Sequence, residues 1–561
     1  SRLFALFATV LDLLSCMQSM LARGCIAPGA TIFLHNLIRN ELNYKNFVPG
    51  EWLSEYCHGA SHELYMTEIP ETLDDCTYED AVLHMFDRWS SFLIGIKGEQ
   101  TDPVTGAQSA RMMIHPPSFL KVKAGWKAFV IACDAKKSFA IAYDSDVIAS
   151  TVLKNRGMFL ERGESRNLLD SDLDDTSDSS SVSSFGLGMD EMTSDEQERF
   201  ELEKPWMERP ARDLRSSMKA VALRLIRHSK LPCSDMRLIS HFYIEHQEAT
   251  LEHACVEELP VHVRDHIVVC GGYRDLVHFV LPLRARSLGP VWRDKPIVIM
   301  HSKFPDASEW APLSAFSEIY CLEGDPTEML DLNRALCQDA HAIVLLANEE
   351  SNVSTTQQTE ISKGLSDYRN ILVQVQVMQN FGRSKLVIVE SAFDSSLKFF
   401  QPHFRREAQS EEYNYVLPIV AAGRTYSQGT IDNLTVHSFF VPAAVDVFLH
   451  LTGSFSSPFS SLFSQGEFFS MRCPFLLAGR RFSTVFKFML RTFGILVVGL
   501  YRHEYSKSSE LPFVYSCPVH HSEVEDSDHL LIISRRPPWD IDFSDLEMDP
   551  HLDSEPNPRR R

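Results

Sequence analysis

Apolar positions at the start of the chain recur at helical spacing. Phe7, Leu14 and Leu21 are separated by two turns each, within an apolar pattern that extends over residues 2–23. A turn at Pro28-Gly29 interrupts this pattern, and apolar residues then continue to about residue 38. The sequence therefore predicts two helices that pack as a helix–turn–helix.

Two later regions show strand-type patterns. Short apolar runs bounded by turn residues predict strands at Phe92 to Lys97, Arg111 to His115 and Ala128 to Cys133. Residues 264–380 alternate strands with helices. The strands are predicted at His266 to Cys270, Pro296 to Met300, Glu318 to Leu322, Ala342 to Ala347 and Asn370 to Val375, with helices through Leu281 and over Pro326 to Leu336. This alternation predicts a parallel sheet with right-handed crossovers.

The chain also repeats itself. Gly95 and Gly499 lie in similar apolar strands, and the interval from Pro116 to Val122 equals that from Pro518 to Val524. The helix–Pro–helix pattern around Pro28 recurs around Pro442. We therefore predict an α/β protein, in which one Rossmann-like unit is combined with two smaller α+β lobes joined by helix–turn–helix crossovers.

Composition narrows the functional classes. The chain has 561 residues, 44% of them apolar, and a net charge of −21, which disfavours nucleic acid as a partner. The longest candidate for a membrane span, Phe493 to Tyr501, is too short and reads as a buried strand. The 12 cysteines form no CxxC pair, which fits a reducing compartment. The acidic, serine-rich stretch at 155–215 is predicted to be a disordered linker.

Known catalytic and cofactor motifs are not found. The turn Gly271-Gly272 lacks the later glycines of a dinucleotide site, which disfavours NAD. No P-loop, nucleophile elbow or EF-hand loop appears. Four residues suggest zinc at a spacing that fits no structural zinc pattern: Cys517, His520, His521 and His529. We therefore expect no enzyme activity and no cofactor.

Several segments together resemble one family. They are Cys25 to Gly29, Glu51-Trp52 with Gly59 to Tyr65, Leu281 to Arg286, and Leu417-Pro418 with Ala421 to Arg424. In this order they resemble the gating ring of Slo-family, BK-like potassium channels, with tandem RCK domains. The resemblance implies a first RCK domain, represented by its carboxyl-terminal part, over 1–150. It places the Rossmann-like lobe of the second RCK domain at 216–380, its crossover helices and carboxyl-terminal lobe at 381–540, and a disordered tail at 541–561.

The resemblance also implies a regulatory cation site. Glu63 matches a calcium ligand of the first RCK domain, and Ser61 and Cys133 match residues that contribute through their backbone. The stretch from Gln401 to Glu407, which corresponds to the calcium bowl of the calcium-activated branch, has no aspartate run. In this respect, and from Leu417 to Arg424, the chain is similar to the sodium-activated branch. Regulatory calcium and regulatory sodium both remain open.

The function implied is ligand-dependent control of potassium transport. The family resemblance predicts a homotetramer on the cytoplasmic side of a membrane, with a pore domain upstream of Ser1. Two alternatives remain: a stand-alone RCK regulatory subunit of a potassium transporter, and a Rossmann-type NAD-dependent oxidoreductase.

Overall fold

The computed structural model describes residues 16–39, 51–101, 108–143, 241–245, 248–273, 275–347, 356–400, 416–454, 466–503, 511–541 and 543. The chain divides into two compact units. The first unit comprises Ser1–Ser61, Arg209–Pro458 and Gly466–Arg561. The second comprises His62–Glu208 and Phe459–Gln465. The predicted linker at 155–215 lies outside the described residues.

The first unit opens with three helices. They are α1 (residues 16–26), α2 (Ala30–Asn36) and α3 (Glu51–Ala60). Gly29 forms the turn between α1 and α2 with a φ of 89°, a conformation that favours glycine. A Cβ at this position would also lie 2.7 Å from Val514 Cγ2, so the turn needs glycine for space as well. The predicted helix–turn–helix is confirmed over its described residues, and its part before residue 16 lies outside them.

The described part of the second unit is a four-stranded antiparallel sheet with two helices. Its elements are β1 (Glu63–Glu68), α4 (Tyr78–Trp89), β2 (Phe92–Thr101), β3 (Gln108–Ile114), β4 (Lys127–Ala132) and α5 (Ala135–Tyr143). The strand order is β1-β4-β2-β3. Thr77 caps α4 by accepting a hydrogen bond from the Asp80 amide, and Ser90 ends the helix in the left-handed conformation. The three strands predicted in this region are confirmed.

A seven-stranded parallel sheet forms the centre of the first unit. Its elements are α6 (Leu251–Ala254), β5 (Cys255–Val256), β6 (Ile267–Cys270), α7 (Val277–Leu283), α8 (Pro290–Arg293), β7 (Ile297–His301), α9 (Ala307–Trp310), β8 (Ile319–Glu323), α10 (Met329–Arg334), β9 (Ala342–Leu345), α11 (Thr356–Phe381), β10 (Leu386–Ser391), α12 (Pro418–Ala421) and β11 (Thr425–Ser427). The strand order is β11-β10-β9-β6-β7-β8-β5. Strands β6 and β9 are buried throughout, as expected for strands covered on both faces. The Rossmann-like prediction is confirmed.

The prediction of a strand at Asn370 to Val375 is wrong. These residues lie in α11, and the next strand of the sheet is β10. Val373 and Val377 are buried while Tyr368 is 58% exposed, which is the four-residue spacing of a helix face. β-branched residues on this face resemble a strand in a short window, and only the longer period separates the two interpretations.

A second crossover and a second lobe complete the first unit. Their elements are α13 (Gly429–Phe440), α14 (Ala444–Thr452), β12 (Glu467–Arg472), α15 (Phe482–Phe493), β13 (Leu496–Arg502), β14 (Phe513–Ser516) and β15 (His529–Ser534). Phe493 ends α15, so the buried strand predicted from Phe493 begins three residues later. No helix in the described part of the chain is long and apolar enough to cross a membrane.

The two lobes have the same topology. The second lobe has the order β12-β15-β13-β14, which matches β1-β4-β2-β3 strand for strand. Each lobe has a register shift in its third strand of that order, at Gly95 in one and Gly499 in the other. Each also has a residue with positive φ after the last strand of the order, His115 at 45° and Cys517 at 46°. The predicted internal repeat is confirmed down to these irregularities.

The assignment of Asn370 to a helix can be tested by placing an aspartate on the buried face or on the exposed face of α11. Val377→Asp puts a carboxylate on the buried face of α11 and should cost at least about 3 kcal/mol of unfolding free energy. Tyr368→Asp, on the exposed face, should change it by less than about 1 kcal/mol. Urea unfolding of both variants measures the difference, and equal losses would contradict the helical assignment.

Candidate functional site

The structure places two of the predicted cation ligands at one end of the sheet of the second unit. Glu63 begins β1 and is the register partner of Ala132, the residue before Cys133. Tyr65 donates a hydrogen bond to Glu63 Oε2 over 3.1 Å. Burial raises the pKa of Tyr65, and the nearby Glu63 carboxylate raises it further, so the phenol stays protonated and donates.

Ser61 lies two residues before Glu63, as the last residue of the first unit. Its Oγ donates to the carbonyl oxygen of His58 over 2.7 Å, within the last turn of α3. The hydroxyl hydrogen of Ser61 is therefore engaged where α3 ends.

Within the described residues, no group of three or more His, Cys, Asp or Glu side chains is arranged to hold a metal ion. Two of the residues considered for zinc belong to different strands. Cys517 is buried directly after β14, whereas His529 begins β15. Calcium prefers six to eight oxygen ligands, which Glu63 supplies only in part. The stretch from Gln401 to Glu407 lies outside the described residues.

The glycine turn after β6 is packed against protein. The strand order reverses between β6 and β9, which is where dinucleotides bind in open parallel sheets. A Cβ on Gly271 would lie 2.6 Å from Leu346 Cβ, so the glycine makes room for this buried leucine. Asn370 then donates to the carbonyl oxygens of Leu346 and Glu390 over 3.1 and 3.2 Å. These contacts give the glycine turn a packing role.

Helix α1 contacts helix α7, the residue before β9 and strand β10. Ser19 Oγ donates to the carbonyl oxygen of His278 over 3.3 Å. The carbonyl oxygen of Cys25, at the carboxyl end of α1, is 3.0 Å from His341 Nε2. A Cβ at Gly24 would lie 2.9 Å from Ile388 Cδ1, so helix and sheet approach closely here.

Helix α2 contacts both the parallel-sheet region and the second crossover. Thr31 Oγ1, on α2, donates to the carbonyl oxygen of Gly423, between α12 and β11, over 2.8 Å. His35 Nδ1 lies 2.9 Å from Thr430 Oγ1, at the start of α13. Burial lowers the pKa of His35 to about 3, so its ring is neutral at physiological pH and the contact is an uncharged hydrogen bond.

A buried arginine joins the first crossover to the end of the second. Arg23 is fully buried, and its Nε donates to the carbonyl oxygen of Thr452 over 3.0 Å. Its Nη1 donates to the carbonyl oxygen of Phe468 over 3.2 Å, and its Nη2 to Glu467 Oε2 over 2.7 Å. Gly453, with a φ of 73°, leaves the space beside the guanidinium that a Cβ would fill. Sequence reasoning missed this residue, although an arginine within the apolar pattern of α1 was a visible signal.

Helix α3 packs on the second lobe. Trp52 and Phe513 have ring centroids 5.9 Å apart, and His58 and Tyr515 are 5.8 Å apart. A Cβ at Gly59 would lie 2.6 Å from the Ser516 backbone nitrogen, so the helix touches β14 at this glycine. The helix that leads to Ser61 and Glu63 is thus seated on a strand more than 450 residues later in the chain.

The described residues combine a Rossmann-like sheet, paired crossovers and repeated α+β lobes. Residues 262–389 match the RCK domain of slowpoke-like calcium-activated potassium channels. Residues 9–96 match the calcium-activated BK potassium channel alpha subunit. Both matched segments are similar to the family that the motifs of the sequence resemble, and both models describe potassium channels.

Solved structures agree on the fold. The human SLO3 gating ring matches with a TM-score of 0.63 at 17% identity, covering 93% of this chain and 75% of that one. The GsuK RCK domain covers 84% of this chain and 60% of its own at 9% identity, and the GsuK channel covers 86% and 54%, also at 9% identity. Both GsuK alignments have a TM-score of 0.20 and carry no structural argument. The fold is that of a gating ring.

The contribution of Arg23 can be measured by charge removal. Arg23→Met should lower the unfolding free energy by about 3–5 kcal/mol, because Glu467 and two carbonyl oxygens lose their donor. The double variant Arg23→Met with Glu467→Gln should recover part of that loss. Arg264→Met, at an exposed position, is the control and should change stability by less than about 1 kcal/mol. A loss no larger than that of the control in urea unfolding would rule out this role.

Proposed function

We propose that this chain is the ligand-sensing gating-ring portion of a potassium channel and couples intracellular cation binding to pore opening. The observation that carries the proposal is the repeated crossover-and-lobe unit combined with a Rossmann-like sheet. Helix α1 contacts the sheet, Arg23 joins α1 to the second lobe, and α3 rests on the same lobe. A shift at any one of these contacts is therefore transmitted to the others.

The repeat supports a further Rossmann-like unit as a partner of the second crossover. Aligning Pro28 with Pro442 pairs three buried residues of α1 with three exposed residues of α13: Ala22 with Val436, Cys25 with Phe439, and Ile26 with Phe440. The α13 residues are 53%, 76% and 71% exposed, and we name them the α13 patch. Because the matching face of α1 packs on a Rossmann-like sheet, we infer that the α13 patch binds a second such sheet.

In the channel, this second sheet belongs to the first RCK domain. The proposed assembly is a homotetramer on the cytoplasmic side of the membrane, joined to a potassium-conducting pore domain. Moving a two-state equilibrium from 1:99 to 99:1 takes about 5.5 kcal/mol of differential ligand binding. Divided among four subunits, this is about 1.4 kcal/mol each, so a weak cation site in every subunit is sufficient.

The α13 patch gives a test in the intact channel. The double variant Phe439→Ser with Phe440→Ser removes most of its apolar area and should weaken cation-evoked opening at least tenfold in membrane-current recordings. Phe475→Ser removes another exposed aromatic ring, 89% exposed, from the second lobe and serves as the control. Equal effects of the patch and control variants would contradict the proposal.

We propose that Glu63 supplies the acidic side chain of the regulatory site, with backbone oxygens of Ser61 and Cys133. The geometry that supports this is the pairing of Glu63 with Ala132, the residue next to Cys133. Carboxylate and carbonyl oxygens suit both calcium and sodium as hard cations. Tyr65 holds the carboxylate in place until a cation binds.

The site is tested with two variants of one strand. Glu63→Gln removes the ligand charge and should raise the calcium concentration for half-maximal opening at least tenfold. Glu68→Gln, at the exposed end of β1 where it pairs with Lys127 over 2.6 Å, is the matched control. Current recordings in calcium and then in sodium identify the ion whose response changes. If neither response depends on Glu63, this residue is not a ligand.

A further inference from the structure

A second buried arginine lies where α3 meets the second lobe. Arg502, in β13, is 1% exposed, and its Nη2 donates to the carbonyl oxygen of Glu523 over 2.8 Å. Three carboxylates surround the guanidinium: Glu55 Oε2 at 3.3 Å, Glu525 Oε1 at 3.5 Å and Asp528 Oδ2 at 4.0 Å. Glu55 comes from α3, whereas the other groups belong to the lobe. The carboxylates around Arg502 therefore include one whose distance from the lobe depends on the position of α3.

Acidic charge exceeds basic charge in this cluster. Three carboxylates surround one guanidinium, and Asp528 is fully buried. Its Oδ2 accepts a hydrogen bond from the Glu525 amide over 2.9 Å, while its Oδ1 is buried without a hydrogen-bond partner. A buried carboxylate oxygen without a partner is costly when ionised, and binding one proton removes most of that cost.

We propose that Asp528 is a proton-binding switch that strengthens the docking of α3 on the second lobe as the pH falls below neutral. The geometry that carries this is a buried carboxylate with a free oxygen, facing two further carboxylates across one arginine. Burial is the largest cause of a net rise in the pKa of Asp528 to about 6; Arg502 and the Glu525 amide hydrogen bond lower it, and the Glu525 and Glu55 carboxylates raise it. His58 of α3 faces Tyr515 of the lobe, and the buried Cys473 lies near Asp528.

The direction of the effect follows from proton linkage. Withdrawing α3 removes the Glu55 carboxylate, which raises the pKa of Asp528 in the docked state, so this pKa moves toward 3.8, its ordinary value. The docked state therefore binds the proton more tightly than the undocked state. The gain appears as the pH falls through about 6 and is complete near the ordinary value. Because α3 leads directly to Ser61 and Glu63, its docking also bears on cation sensing. That consequence rests on the proposed function, whereas the docking itself does not.

Hydrogen exchange of the α3 amides in the full chain tests the switch. Corrected for intrinsic exchange rates, protection of residues 51–60 should rise by up to about tenfold between pH 7.5 and pH 5. Asp528→Asn should show high protection at both values with no pH dependence. Asp526→Asn, an exposed neighbour on the same turn, should behave as the unmodified chain does.

Two results would overturn the proposal. One is a pH dependence that persists in Asp528→Asn, which would assign the effect to another group such as His58. The other is protection that falls on acidification in the unmodified chain. If Asp528→Asn does not fold, carboxyl nuclear magnetic resonance of the unmodified chain decides, since a pKa of Asp528 below about 4.5 excludes the switch. None of these readouts depends on channel activity, so a failure of the switch is distinguishable from a failure of the proposed function.

Discussion

The buried guanidinium of Arg23 is the interaction on which the arrangement of the first unit depends. Removing an arginine from water is costly, and the cost is offset only by well-placed acceptors. Thr452, Phe468 and Glu467 supply these acceptors at the junction of α14 and β12. The chain can therefore place α1 in this position only when α14, Gly453 and β12 are also in place, which fixes the register between segments more than 400 residues apart.

The internal repeat explains both what is buried and what is exposed. The two lobes share a strand order, a register shift at a glycine and a residue of positive φ after the last strand of that order. The same fold therefore occurs twice in the chain. The crossovers differ in their surroundings, because the face of α1 packs on a sheet and the face of α13 is exposed. This exposed apolar face, whose counterpart on α1 is buried, is the basis of the proposed contact between α13 and a second sheet.

Much of this fold is predictable from local pattern. Buried strands such as Ile267–Cys270 are continuous apolar runs, and the repeat preserves spacing around Gly95 and Gly499 that a single sequence reveals. The strand predicted at Asn370 to Val375 is wrong because β-branched residues such as Val373 resemble a strand in a short window, while Val373 and Val377 lie on one buried helix face. The family resemblance, rather than the chemistry of a single carboxylate, singled out Glu63.

The buried ionic groups could not be predicted from the sequence, and the reason is physical. Arg23 and Arg502 find their partners on segments distant in sequence, and local composition does not record which acceptors meet them. The same holds for Asp528, whose pKa is raised by burial and lowered by Arg502 of strand β13. Long-range electrostatics appear only once the topology has brought the segments together.

Recording potassium current while calcium or sodium is applied to the inner face tests the account most directly. The channel carrying this region is compared with the same channel from which the region is deleted. The account predicts that cation raises open probability only when the region is present. An equal response to cation in the two channels would contradict it.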